Sequence, residues 1–322
     1  MTANPSDTIA ANATFATFAT VASGVSQLSH LGVIRIVGED AAKFIHGQLT
    51  QDFALLGQHE ARLSAFCSAK GRIQASFIGF KRADGDILLV CSRDLLAATL
   101  KRLSMFVLRA KAKLTDATDE FVLWGLAGSA IKEIAGHAGT TWARADFDAM
   151  SIVNLYPADG VLRQLAVVPV GHAPPPGTAL ALDQWLWSEV RSGVATVTTP
   201  VFELFVPQML NYESIGGVNF KKGCYPGQEV VARSQFRGTL KRRTFLVHCD
   251  AAMAAGDDVF PGGDDAQPAG TVVQSAAALR GGFDALVSAQ ISAVDAGPLH
   301  LKATDGPIVQ VLPLPYPLLE DV

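Results

Sequence analysis

The hydrophobic pattern of this chain changes at Arg243, and that change divides what the chain can fold into. Before it, runs with strand alternation and runs with helical spacing are interleaved. Beyond it only short β-type runs remain, at 244–249, 271–275, 285–291, 299–302 and 308–312. Turn clusters such as Pro261-Gly262-Gly263-Asp264-Asp265 separate them. Short strands without a helix to cover them bury their apolar faces by closing on themselves, so this part reads as a small all-β barrel.

Upstream, 32–37 reads as a strand. Glu39-Asp40 then opens a helix to about Leu49, with Ala41, Phe44, Ile45 and Leu49 at helical spacing. Residues 60–116 read as one unit. Strands at 62–67 and 72–81 flank the turn Ser68-Ala69-Lys70-Gly71, and a third at 86–92 follows Ala83-Asp84-Gly85. A helix over 93–107 carries Leu95, Leu96, Leu100, Leu103 and Phe106 on one face, and a strand at 110–115 closes the unit. This order suggests an α+β sandwich of ferredoxin-like type. Strands follow at 121–126, 152–156 and 163–168, with a short helix over 128–135. An amphipathic helix over 181–191 carries Trp185 and Trp187, two apart and so on different sides. A long extended loop comes next.

At 322 residues, with 49% apolar and 17% charged side chains, the chain can fill a large core in two or three domains. No run approaches the ~20 apolar residues of a membrane span. The first Lys or Arg is Arg35, so no basic n-region of a secretory signal is present. The Ala/Thr/Ser-rich residues 1–25 read as a mobile tail able to lay one strand on the body. Cys67, Cys91, Cys224 and Cys249 form no C-x-x-C pair, and the seven histidines show no H-x-x-x-H spacing. The expectation is a cytoplasmic protein with neither a disulfide framework nor a zinc site.

The chemistry concentrates in Lys221-Lys222-Gly223-Cys224-Tyr225-Pro226-Gly227-Gln228-Glu229. Neighbouring ammonium groups favour a thiolate over a thiol. Tyr225-Pro226-Gly227-Gln228 has the composition of a type II turn, with proline fixing φ and glycine supplying φ > 0. Seven cations lie between Lys221 and Arg243 (Lys221, Lys222, Arg233, Arg237, Lys241, Arg242, Arg243) against one acid, Glu229, on a chain of net charge −4. Such a segment suggests an anionic ligand or partner docking at one place.

Extended through Val230-Val231-Ala232-Arg233, this segment resembles the signature of the YgfZ family of folate-binding proteins. These are relatives of the aminomethyltransferase (T-protein) of the glycine cleavage system. Phe44-Ile45-His46-Gly47-Gln48-Leu49-Thr50-Gln51-Asp52, Cys67-Ser68-Ala69-Lys70-Gly71-Arg72 and Arg237-Gly238-Thr239-Leu240-Lys241-Arg242-Arg243 resemble further segments of the family. The resemblance implies a three-domain T-protein-like α+β architecture around a central channel for tetrahydrofolate or a derivative. Its units would be a discontinuous folate-binding core over 26–59 and 117–235, the ferredoxin-like unit over 60–116, and the barrel over 236–322. It also implies a role in assembling or repairing iron–sulfur clusters in client enzymes, including tRNA-modifying ones. Folate and iron–sulfur client proteins would be the partners, with no direct nucleic-acid contact and no membrane. On that reading Cys224 and Lys222 are the catalytic candidates, and Gln48, Asp52, Lys70, Tyr225, Gln228 and Arg233 the cofactor-binding ones, with no metal ligands.

Two departures matter. Where the T-protein carries an Asp pair with a catalytic member, this chain has Ala75-Ser76. Where the T-protein has a Glu-Ala-Gly-like segment whose acid contacts the pterin, it has Arg191-Ser192-Gly193. Aminomethyl transfer of the glycine-cleavage kind is therefore not expected. Two other readings stay open: a folate-dependent one-carbon transferase of unknown substrate, and an RNA- or protein-binding adaptor using the basic segment 221–243.

Overall fold

The computed structural model describes residues 23–134, 139–237, 239–263 and 267–319. Of the tail expected over 1–25, residues 1–22 lie outside the described residues, and Gly24–Gln27 forms strand β1. Gly238, within a family-like segment, also lies outside them.

One antiparallel sheet has the order β1, β7 (Phe121–Ala127), β10 (Arg163–Pro169), β9 (Met150–Asn154), β8 (Arg144–Phe147). A second has the order β3 (Ala61–Cys67), β4 (Ile73–Lys81), β5 (Ile87–Ser92), β2 (Leu31–Val37), β6 (Lys113–Asp116). Every residue of β5 is buried. Its alternation sends Leu88 and Val90 to the face shared with the first sheet, while Ile87, Leu89 and Cys91 face helices α1 (Ala41–His46) and α2 (Arg93–Ser104). The far side of the first sheet is covered by α3 (Ser129–Ile134). The layers therefore run helices, sheet, sheet, helix.

Strand β2 corrects one expected boundary. It pairs with β5 and β6 and belongs to the ferredoxin-like sheet, not to the discontinuous core assigned to 26–59. Leu31 and Val33 face one apolar layer and Ile34 and Ile36 the other, and only a central strand meets both demands.

Helix α4 (Leu182–Arg191) joins the units. Trp185 is fully buried between the sheets, and Gly125 lets it approach, because a Cβ there would lie 2.5 Å from the indole. Trp187 turns the other way and donates its indole N–H to Asp284 at 2.7 Å. Asp284 belongs to the C-terminal domain, a closed antiparallel barrel. Its strands are β11 (Arg242–Cys249), β12 (Asp258–Pro261), β13 (Gly270–Ala277), β14 (Phe283–Gln290), β15 (Leu299–Leu301) and β16 (Ile308–Leu312). The sequence pattern misses β12, whose four residues bury only Val259 fully. The loop after α4 threads the middle: Ala195, Val197, Val201, Phe205, Leu210 and Tyr212 share one core with sheet, helix and barrel residues. No helix of the described residues is long and apolar enough to cross a membrane.

Candidate functional site

The site is assembled by three segments far apart in sequence. The stretch after α1 forms its frame. Leu49 bridges to Phe66, and the Thr50 hydroxyl donates to the Gly217 carbonyl at 2.6 Å and accepts from the Ala65 N–H at 2.9 Å. Gln51 donates to the Gly216 carbonyl at 2.7 Å. The family-like Gln-Leu-Thr-Gln segment thus ties β3 to the approach of the cysteine loop.

Lys222 completes the tie. Its ammonium is buried and donates to the carbonyls of His46 at 2.6 Å, Leu49 at 3.0 Å and Gly223 at 3.2 Å. His46 ends α1, so the cation satisfies carbonyls left open at a helix C-terminus. It also lies 4.6 Å from the centre of the Tyr225 ring. Burial lowers the Lys222 pKa to about 8, against the opposing pull of Asp52 and Cys224. Burial likewise pushes the Tyr225 hydroxyl up.

On the other side the Ser68–Gly71 turn presses on the cysteine loop. Gly227 has φ +80°, and a Cβ on it would lie 2.4 Å from the Ser68 carbonyl oxygen. The type II reading of this turn supplied the reason for a glycine there. Helix α5 (Gln228–Phe236) starts immediately after it.

These contacts leave Cys224 exposed, while Cys67, Cys91 and Cys249 are buried. Desolvation pushes the Cys67 and Cys91 thiols up to about 12. Of the other expected residues, Asp52 and Gln48 sit at the frame and Tyr225 under Lys222. Gln228 is the first residue of α5, and Lys70 is exposed in the turn packed on Gly227. Arg233 is not brought in: it pairs with Glu229 at 2.6 Å along an exposed face of α5.

The cations counted over 221–243 do not all reach the surface. Lys222 and Arg243 are buried, the latter 2.7 Å from Glu213. Arg242 donates to the Ala269 carbonyl, and Lys221, Arg233, Arg237 and Lys241 are the exposed remainder. A loop, a helix and a barrel strand carry these cations.

A second element of the site lies deeper. A cavity of about 50 Å³ between the sheets is walled by Leu28, Leu31, Ile78, Leu165 and Trp185, with Ser76, Glu189 and Thr196 as its polar groups. A surface cleft of about 360 Å³, lined by His30, Glu189, Thr196 and Gln274 among others, shares Glu189 and Thr196 with it. Glu189 accepts from Trp185 Nε1 at 2.8 Å, from Gln274 Nε2 at 3.2 Å, and pairs with His30 at 3.2 Å. Burial pushes the Glu189 carboxyl up, but His30, Arg163 and the Trp185 N–H outweigh it and hold it below its ordinary value. Arg163 lies 4.4 Å from the Trp185 ring centre, and burial lowers its pKa to about 10. Sequence reasoning missed Glu189 and His30. The available signal was an acid one helical turn from Trp185 on the apolar face of α4. None of the six residues expected to bind cofactor lines this cavity. Ser76 does line it, and its oxygen accepts the Val197 N–H at 2.9 Å.

No family model matches the chain. Among curated proteins, the tRNA-modifying protein YgfZ of Enterobacter sp. (strain 638) is 31% identical over 304 residues, 88% of this chain and 90% of that protein. The same-named protein of Cronobacter sakazakii (strain ATCC BAA-894) is 31% identical over 244 residues, 70% of this chain and 71% of that one. Among solved structures, the glycine cleavage system aminomethyltransferase T from Bartonella henselae superposes with a TM-score of 0.66 at 16% identity, covering 92% of this chain and 88% of that chain. At that identity the likeness shows the fold.

Proposed function

The chain belongs to the YgfZ family, and from that premise we propose that it binds tetrahydrofolate between its sheets and supports iron–sulfur cluster assembly or repair in client enzymes, with Cys224 as its reactive thiol. The observation that carries the folate reading is the cavity at Glu189, inside a fold shared with an aminomethyltransferase. Its donor set fits a pterin. The walls are apolar, and a carboxylate has about four acceptor positions, of which three are used here. The fourth suits the N–H donors of a 2-amino-4-oxo ring. The cavity alone has room for a few waters, so the ring needs the adjoining cleft as well. Leu28, Leu31, Leu165 and Trp185 would flank the ring, and Glu189 and Thr196 would orient it. When bound, tetrahydrofolate supplies a one-carbon carrier or a reductant.

Ser76 offers a hydroxyl where aminomethyl transfer needs a carboxylate, which disfavours the one-carbon transferase reading. Among the four cysteines, Cys224 alone is accessible to a client.

Calorimetry with tetrahydrofolate tests the binding premise. Wild type should bind, and Glu189→Gln should weaken binding roughly ten- to a hundred-fold, as expected for a hydrogen bond to a charged group. Absence of binding by the wild type removes the premise. The thiol is tested in cells lacking their own copy: Cys224→Ser should leave iron–sulfur enzyme activities depressed, and full restoration would sink its role.

A further inference from the structure

The segment that carries Cys224 begins and ends in contact with itself. Phe220, just before the cysteine loop, meets Phe236, the last residue of α5, edge to face with ring centres 5.2 Å apart. Phe220 is half-buried, whereas Phe236 leaves 54% of its surface in water. One exposed phenylalanine is ordinary on a protein surface. This one stands near the only accessible thiol of the four. Cys224 is four residues from Phe220, so the two Cα atoms are at most about 14 Å apart. A standard protein interface covers about 800 Å² on each partner, a disc of about 16 Å radius. An interface of that size centred on Cys224 therefore reaches the aromatic pair.

The exposed charge around this face is mostly positive. Lys221 adjoins Phe220 and Arg237 adjoins Phe236, both exposed, so the ring contact brings cations from the two ends of the segment into one neighbourhood. Lys70 is exposed in the turn that packs on the loop at Gly227 and on α5 at Val230. Lys43 is exposed on α1, one turn before His46, whose ring lies against Gly223. Of the acids, Glu229 pairs with Arg233 at 2.6 Å, and Asp52 lies 3.1 Å from His46 Nδ1. The chain as a whole carries a net charge of −4, so this local excess runs against its overall sign.

We propose that this face is the docking surface for client proteins, and that it takes an acidic segment bearing an apolar side chain. This rests on the reading of Cys224 as the reactive thiol. The partner's apolar side chain packs on Phe236, in keeping with the enrichment of aromatic and arginine side chains in protein interfaces. Its carboxylates meet Lys221, Arg237, Lys70 and Lys43, which speed encounter and fix the register of the segment across the thiol. The aromatic pair offers one exposed ring, where a nucleic-acid strand needs a series of rings to stack on.

Two synthetic peptides of equal length test the surface. Each bears a central chloroacetyl group flanked by leucines, with aspartates outside them in one peptide and lysines in the other. Alkylation of Cys224 is followed by mass spectrometry and divided by the rate with iodoacetamide. That reagent is neutral and too small to touch Phe236, so changes in thiol reactivity cancel. Wild type should favour the acidic peptide by about ten-fold at low salt, and about 0.5 M salt should erase most of the preference. Phe236→Ala should slow both peptides several-fold. Lys221→Glu combined with Arg237→Glu should bring the acidic-to-basic ratio to one or below. Equal normalised rates for the two peptides in wild type, or variants that match wild type, overturn the docking surface while Cys224 stays accessible. An RNA oligonucleotide that blocks the reaction where an unreactive acidic peptide does not also overturns it, in favour of a nucleic-acid partner. If iodoacetamide leaves Cys224 unmodified in the folded protein, the reading of Cys224 falls, and the docking surface with it.

Discussion

Replacing Gly227 by alanine probes the contact that holds the cysteine loop. The position has φ +80°, where a side chain costs about 1–2 kcal/mol. The new Cβ would also lie 2.4 Å from the Ser68 carbonyl oxygen and 2.7 Å from the Gly71 Cα. Both are backbone atoms and cannot swing aside, so overpacking adds about 1–3 kcal/mol. The total is about 2–5 kcal/mol. Gly85→Ala is the control: its φ is +93°, but nothing lies within 4 Å of the new Cβ. It should lose only the backbone part, about 1–2 kcal/mol. Urea unfolding followed by circular dichroism gives both values, with unchanged m-values required for the comparison. If the two variants agree within about 0.5 kcal/mol, the turn at Ser68–Gly71 does not hold the cysteine loop and the geometry of the site is wrong.

Two further outcomes follow from burial and charge. Under native conditions a thiol reagent should titrate one of the four cysteines quickly, Cys224, and all four in denaturant; rapid reaction of a second native thiol would contradict the burial of Cys67, Cys91 and Cys249. The pair His30–Glu189 should stabilise the fold within a window. Burial lowers the His30 pKa, but Glu189 outweighs it and the net shift is upward from 6.5, so its contribution is full below 6.5 and lost as pH rises through the folded value. Glu189 is shifted down from 4.5, so its contribution is present above 4.5 and lost as pH falls through its folded value. The stability difference between wild type and His30→Gln should therefore be largest between 4.5 and 6.5 and shrink by pH 8.5; a difference that grows toward pH 8.5 refutes the pairing.

Much of this architecture is legible in the residues. Alternation in Ile87–Ser92 and helical spacing in Arg93–Ser104 are local signals, and both elements form. Where the local signal is short, reading fails: β12 has too few apolar residues to register, and α5 opens immediately after a turn. Topology is a separate matter. Nothing in Leu31–Val37 by itself says that it lies between β5 and β6, because that choice depends on which partners cover its two faces.

The cysteine loop shows the same division. The sequence by itself determined that a thiol stands among lysines on a proline–glycine turn, and that the last domain is all β. Charge counted along the chain could not tell a solvated cation from a buried one. Only the tertiary structure decided that Lys222 turns inward to carbonyls 173 and 176 residues away, that Arg243 meets Glu213, and that His46 stands beside Gly223. The physical reason is that hydrogen bonding and desolvation are set by what surrounds a group in space, and for these groups the surroundings come from distant segments brought together by the packing of the two sheets and the barrel.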